Sequence, residues 1–168
     1  TLALWFNPHY GISYKSNWSI ASVGPRQFNT READWQTDGN HLSNIRRLVF
    51  IVEQQVSKEE EWDGKDENSW HWLATDTQDV PIGTARLLPG GQIGRMAVLL
   101  NHRKFGVGAA LLGLAVEKAS YLGFTRVFLN AQTHALGFYE RAGFVAEGVA
   151  FQEAGITHHR MTQPIKPF

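Results

Sequence analysis

The sequence predicts an α+β fold: a mixed, mostly antiparallel sheet of about six or seven strands with helices on both faces. Three observations carry that prediction. Residues 69–100 hold three short β-rich runs separated only by turn residues, the pattern of a hairpin meander. A long apolar helix pattern then leads to a short apolar strand, so a strand–helix–strand crossover occupies the second half. Two further strand-like runs meet around Glu153-Ala154-Gly155 and finish the chain.

Residues 1–27 are aromatic, poor in charge and punctuated by Pro8, Gly11, Gly24 and Pro25. They read as an arm, with one short strand around Ser19–Val23, ahead of a single domain spanning 28–168. Phe28–Trp35 reads as the first strand of that domain. Asp38 or Asn40 is the expected cap of a helix through Leu42, Ile45, Arg46, Leu48, Val49 and Val52, where apolar residues recur at three- and four-residue spacing. An acidic loop, Lys58 to Glu67, follows. The meander strands are Ser69–Thr75, Ile82–Leu88 and Gln92–Leu100, with Asp76–Pro81 and Pro89-Gly90-Gly91 turning between them. Gly108–Leu122 repeats Ala110, Leu111, Leu114, Ala115 and Ala119 at helical spacing, and Gly123 stands where a C-terminal cap falls. Arg126–Ala131 is a short strand, and Ala135–Ala142 a short helix expected to be capped by Thr133 and closed by Gly143. Phe144–Phe151 and Ile156–Gln163 are the last two strands.

Totals narrow the function. Sixteen basic and sixteen acidic side chains cancel, which gives no electrostatic reason to expect nucleic acid or an anionic membrane surface as partner. There are no cysteines, so disulfides, thiolate metal sites and a thiol nucleophile are absent. No apolar run approaches the roughly 18 residues of a membrane span, and Thr1–Pro8 lacks the basic and apolar regions of a signal peptide. A cytoplasmic location is the default expectation.

Chemistry concentrates in Arg103-Lys104-Phe105-Gly106-Val107-Gly108, between a strand and an apolar helix. Helix N-termini carry unsatisfied N–H groups and partial positive charge, and glycines let a backbone approach phosphate oxygens closely. Two common phosphate loops fail on the residues. A P-loop needs Gly-Lys-Ser/Thr, but Gly108 is followed by Ala109-Ala110. A dinucleotide fingerprint needs Gly or Ala where Leu111 stands, and an acid where the next strand has Asn130-Ala131.

These residues resemble the GNAT family of N-acetyltransferases, whose mark is Arg/Gln-x-x-Gly-x-Gly/Ala between the fourth strand and the helix after it. A second hallmark, a helix bearing Tyr followed by Gly-Phe, stands at Ala135-Leu136-Gly137-Phe138-Tyr139-Glu140-Arg141-Ala142-Gly143-Phe144. Arg47–Val56, Asp63-Gly64-Lys65-Asp66 and Glu153–Ile156 are similar to its bacterial ElaA-like branch. The resemblance covers roughly residues 28–168. It departs at Leu100, where Pro is frequent, and at Gln132, where Asn is frequent.

The resemblance implies a GNAT acyl-CoA N-acyltransferase fold, with acetyl-CoA in a wedge between splayed fourth and fifth strands. Backbone groups of Met96, Ala97 and Val98 would pair with the pantetheine arm. The Val98 N–H would polarise the thioester carbonyl, a contribution of about 3 kcal/mol in comparable sites. Arg103, Lys104, Phe105, Gly106, Val107, Gly108 and Ala109 would hold the pyrophosphate, with Asn130, Phe138 and Tyr139 completing the cofactor set. Tyr139 is the candidate general acid, since a phenol of pKa about 10 can protonate a thiolate whose conjugate acid lies near 8.5. Glu53 and His71 are candidate bases, with a water chain as the third choice. Glu53 is a carboxylate ending an apolar helix, and His71 lies in a strand between Trp70 and Trp72.

Adjacent His158 and His159 point to opposite faces of a strand, and no spacing makes a metal site. The Glu59–Glu67 loop reads as solvated, or as an attractor of cationic substrate. Arg86 and Arg95 read as facing solvent or a substrate carboxylate. The expected function is acetyl-CoA-dependent, metal-free acetylation of a primary amine on a small molecule or protein by direct attack. The alternative is a catalytically idle acyl-CoA-binding sensor or regulatory module. The arm could extend the sheet, cover the groove or join two chains in a homodimer.

Overall fold

The computed structural model describes residues 27–168; the expected strand around Ser19–Val23 lies outside the described residues. Strand β1 (Phe28–Ala33) ends where Asp34 turns the chain into helix α1 (Trp35–Arg46), so Trp35 is helical rather than extended. Asp34 is the cap: its carboxylate accepts from the N–H groups of Gln36 and Thr37 at 2.8 and 3.1 Å. Asp38, the expected cap, instead reaches back to the Asp34 N–H at 3.1 Å and takes both ends of the Arg31 guanidinium. Asn40 lies inside the helix. Beyond Arg46 the chain does not continue as α-helix through Val52 but widens into a π-helical segment, Arg47–Glu53. Such segments are rare and recur at functional sites.

After one capped helical turn, α2 (Lys58–Glu61), come β2 (Trp70–Asp76), β3 (Pro81–Leu87) and β4 (Ile93–Val98). With β1 they form an antiparallel sheet in the order β1-β2-β3-β4. Helix α3 (Val107–Tyr121) follows, then β5 (Arg126–Gln132), α4 (Leu136–Arg141), β6 (Val145–Glu153) and β7 (Ile156–Pro164). Thr133 does not cap α4; it opens a single 3-10 turn, and its hydroxyl donates to the Thr157 carbonyl at 3.3 Å.

Alternation along β2 explains why helices cover both faces. Trp72 and Ala74 enter the core built with Val107, Ala110, Leu111 and Ala115 of α3. Leu73 points the other way, onto Leu42 and Ile45 of α1. The second sheet, β5-β7-β6, shares the α3 core through Val127, Leu129 and Met161. Among the described residues the fold is thus the expected α+β arrangement, with seven strands and one refinement. The strands divide into sheets of four and three, and β4 and β5 meet only at their base, through the parallel bridge Gln92–Phe128.

The acidic segment is solvated only in part, at Glu59, Glu60, Lys65 and Glu67, and Arg86 does not face solvent. Glu61 and Asp66 are buried against the buried guanidiniums of Arg46 and Arg86. Arg46 donates to Glu61 at 2.5 Å and to Asp66 at 2.7 Å, while Arg86 donates to Asp66 at 2.9 Å and to Asp63 at 2.6 and 2.8 Å. Arg95 completes the set on Glu61 at 3.0 Å and Asp63 at 3.3 Å. Three cations meet three carboxylates, so the cluster is neutral and tolerates its removal from water. The Arg46 guanidinium also lies over the rings of Trp35 and Trp62.

Asp66→Ala leaves two buried guanidiniums short of a partner and should cost about 3–5 kcal/mol, read as a lower urea midpoint. The wild type should also lose stability in acid. Burial alone would raise the Asp63 and Asp66 carboxyls, but the neighbouring arginines outweigh it and hold both below the usual range. Each therefore binds its proton less tightly folded than unfolded. Their contribution is complete above the unfolded value of about 3.9 and fades as pH falls toward the folded values. Urea midpoints measured from pH 6 down to pH 2 should fall most steeply below pH 4, and Asp66→Asn should flatten that fall.

Candidate functional site

The separation of β4 from β5 begins at one residue. Between the pairs Thr84–Ala97 and Arg86–Gly94 the strand β4 carries one residue more than β3, a β-bulge, and Arg95 within it has φ +48°. The bulge bends β4, and the left-handed residue in it is Arg95 rather than the preceding Gly94. What holds the strained turn is the Arg95 side chain, which donates to the carbonyls of Glu60 at 3.0 Å and Glu61 at 3.1 Å besides its two carboxylate partners. Arg95 therefore belongs to the buried charge cluster, not to solvent.

Past the bulge the ladder resumes, with the Leu99 N–H on the Ile82 carbonyl at 2.9 Å. Antiparallel alternation then turns both backbone groups of Val98 away from β3 and into the gap beside β5. A groove of about 850 Å³ fills that gap. Met96, Ala97 and Val98 line one wall and Leu129, Asn130 and Gln132 the other; the π-helical segment roofs it with Val49, Phe50, Glu53 and Gln54. Tyr139 of α4 lines the same groove. Its hydroxyl meets Met96 Sδ at 3.8 Å, its ring is edge-on to Phe138 and Phe144, and burial pushes the phenol up to about 12.

The glycine stretch lies where α3 begins. Gly106 is the N-cap residue at φ +88°, with no side-chain cap, and Lys104 is also left-handed at φ +67°. Helix geometry leaves the first-turn amides, Val107, Gly108 and Ala109, without intrahelical acceptors. A Cβ on Gly108 would stand 3.5 Å from the Phe138 ring and 3.9 Å from a Val98 methyl, so α3 starts close against α4 and β4.

Arg103 is turned away from these amides. Its Nε donates to the Val98 carbonyl at 2.8 Å, and its two terminal nitrogens donate to the Glu53 carboxylate at 2.7 and 2.6 Å. That contact holds the Glu53 carboxyl below its usual range. Of the two expected bases, only Glu53 reaches the groove. His71 is 1% exposed on the α1 face, stacked on Trp35, with Nε2 on the Asp66 carbonyl at 2.8 Å, and burial depresses its pKa. It is not positioned to take a proton from anything in the groove.

Asn130 donates to Glu153 at 3.1 Å, and Gln132 exchanges amide hydrogen bonds with Gln54 at 2.9 and 3.5 Å. Arg95, read from sequence as facing solvent or a substrate carboxylate, lines the groove, as do Gln54, His134, Glu153 and His158, which were not singled out for it. Of those four, Gln54 had a local signal, standing one residue beyond Glu53 at the end of an apolar helix. Among the described residues no three His, Asp or Glu side chains are placed to share a metal, and no helix is long and apolar enough to cross a membrane.

Comparison with known proteins agrees with this fold. Residues 41–164 match the family model of the acetyltransferase (GNAT) domain. YjcF of Bacillus subtilis, described as an uncharacterized N-acetyltransferase, is 36% identical over 121 residues, covering 70% of this chain and 86% of that protein. YyaT of the same organism is 34% identical over 143 residues, covering 82% and 96%. The crystal structure of Escherichia coli ElaA superposes with a TM-score of 0.72 at 26% identity, over 81% of this chain and 99% of that one. An acyl-CoA N-acyltransferase from Pseudomonas aeruginosa gives 0.70 at 29% identity, over 81% and 99%. With a split sheet, a tyrosine helix at the groove and a glycine-led helix start packed beside them, the chain belongs to the GNAT family of acetyltransferases.

Proposed function

We propose that the chain transfers an acetyl group from acetyl-CoA to a primary amine of a small molecule or protein by direct attack. One observation carries the reading: the β4–β5 opening gathers the Val98 backbone and the Tyr139 hydroxyl in one groove, with the uncapped start of α3 packed against the same strand and helix. The residues fit the donor. Amides from Lys104 to Ala109 would hold the pyrophosphate, with the exposed Lys104 ammonium beside them, and the Met96–Val98 edge would pair with the pantetheine arm. Asn130, whose amide nitrogen donates to Glu153, is the side-chain candidate for that arm, and Gln132 is paired with Gln54.

When bound, acetyl-CoA supplies an activated acetyl thioester. The Val98 N–H stands ready to donate to the carbonyl oxygen on which negative charge develops. Tyr139 holds its proton throughout the neutral range and gives it to the departing thiolate. The phenol is a weak acid at about 12, but the same apolar surroundings also raise the thiol. The amine must lose a proton, and Glu53, neutralised by Arg103, is a poor acceptor. That proton passes to water at the polar mouth, where Glu53, Gln54 and Glu153 stand.

A screen of small amines and lysine peptides, read by CoA release, tests class and acceptor together. Turnover on at least one amine is expected; CoA binding with no turnover on any would make the chain a sensor. Tyr139→Phe should lower kcat about a hundredfold and leave the Kd for CoA within about twofold. An unchanged kcat removes the acid role. Because the phenol ionises only near 12, the wild-type kcat profile should rise with amine deprotonation and show no alkaline fall below about pH 10.

A further inference from the structure

Arg103 opens the glycine stretch, and its charge invites assignment to the pyrophosphate. Its hydrogen bonds point elsewhere. Nε donates to the Val98 carbonyl at 2.8 Å, while Nη1 and Nη2 donate to Oε1 and Oε2 of Glu53 at 2.7 and 2.6 Å. A guanidinium has five N–H groups in a rigid fork, and three of these are committed in directions fixed by its plane. The partners are telling. Glu53 is the last residue of the π-helical segment that roofs the groove, and Val98 is the end of the strand that floors it.

Holding the Val98 carbonyl fixes the peptide plane next to the one whose N–H faces the groove. Turning Arg103 onto a phosphate would surrender two charge-assisted bonds and leave the Glu53 carboxylate alone at the groove wall. It would also release the Val98 carbonyl. Resting on the acetyltransferase reading, we infer that Arg103 is a positioning residue. Anchored by Glu53, it sets the Val98 end of β4 against the thioester and leaves the pyrophosphate to the backbone amides and Lys104.

The test separates this role from phosphate binding with two probes. One is acetyl-CoA, with the amine that the screen identifies. The other is adenosine 3′-phosphate 5′-diphosphate, the part of CoA that carries the pyrophosphate and no thioester. Arg103→Gln, Arg103→Lys and Glu53→Gln should each lower kcat about tenfold, because a small misplacement of a reacting group is costly. Lysine should not rescue, since it keeps the charge and loses the fork. The Kd of the nucleotide fragment, by calorimetry, should stay within about twofold of wild type in all three, and the double variant should be no worse than the worse single one. Thermal melts establish that each variant is folded, as expected for a partly exposed pair.

Weakening of the fragment by about tenfold in Arg103→Gln with recovery in Arg103→Lys would overturn the inference. So would tighter fragment binding in Glu53→Gln, which would mean that Glu53 competes with phosphate for the guanidinium. Wild-type protein that binds neither CoA nor the fragment would sink the acetyltransferase reading, and the clamp with it.

Discussion

The architecture of the groove depends on one strained residue and the charges that hold it. A non-glycine backbone at φ +48° is costly, and Arg95 occupies it because its own side chain is tied to two carbonyls and two carboxylates of the 58–66 segment. Without that bulge β4 would continue its pairing toward β5, and the sheet would close. With it, the seven strands of the described residues divide four and three, a backbone edge is left facing open space, α4 brings Tyr139 to that space, and the uncapped start of α3 packs against Phe138 and Val98 beside it. The six-residue ion cluster is thus part of the machinery that keeps the groove open, and two of its members, Glu61 and Arg95, line the groove.

Much of the fold was legible because its signals are local. Turn residues at 76–81 and 89–91 punctuate the meander, apolar spacing marks α3, and Gly123 ends it. At the helix start spacing pointed to Asp38 or Asn40, and the cap is Asp34. Asp34 and Asp38 are both near the right place, and the difference between them is a matter of where β1 lets go. The π-helical segment was hidden for a related reason: an apolar run such as Leu48–Val52 satisfies a wider turn as readily as an α-turn.

The site was less legible, and the misreadings share one cause. Glu61, Asp66, Arg86 and Arg95 look like surface charges until their partners are known, and those partners lie 15 to 34 residues away. No local pattern encodes such a cluster. His71 fails differently. Its Trp72 neighbour faces the α3 core, and strand alternation then sends the histidine to the opposite face, under Trp35. The glycine stretch and the tyrosine helix were recognisable because a backbone cradle and a short helix are each contiguous in sequence.

The neutrality of the buried cluster has a consequence for how the protein responds to its ionic surroundings. The cluster's innermost charges, Arg46, Glu61 and Asp66, are scarcely reached by dissolved ions, whereas the partly exposed Glu53–Arg103 pair at the groove lies within reach of a screening atmosphere about 8 Å thick at physiological strength. The width of the opening and the alignment of its edge therefore answer to different physical conditions. A change in salt would leave the frame standing while loosening the fitting of the strand end within it.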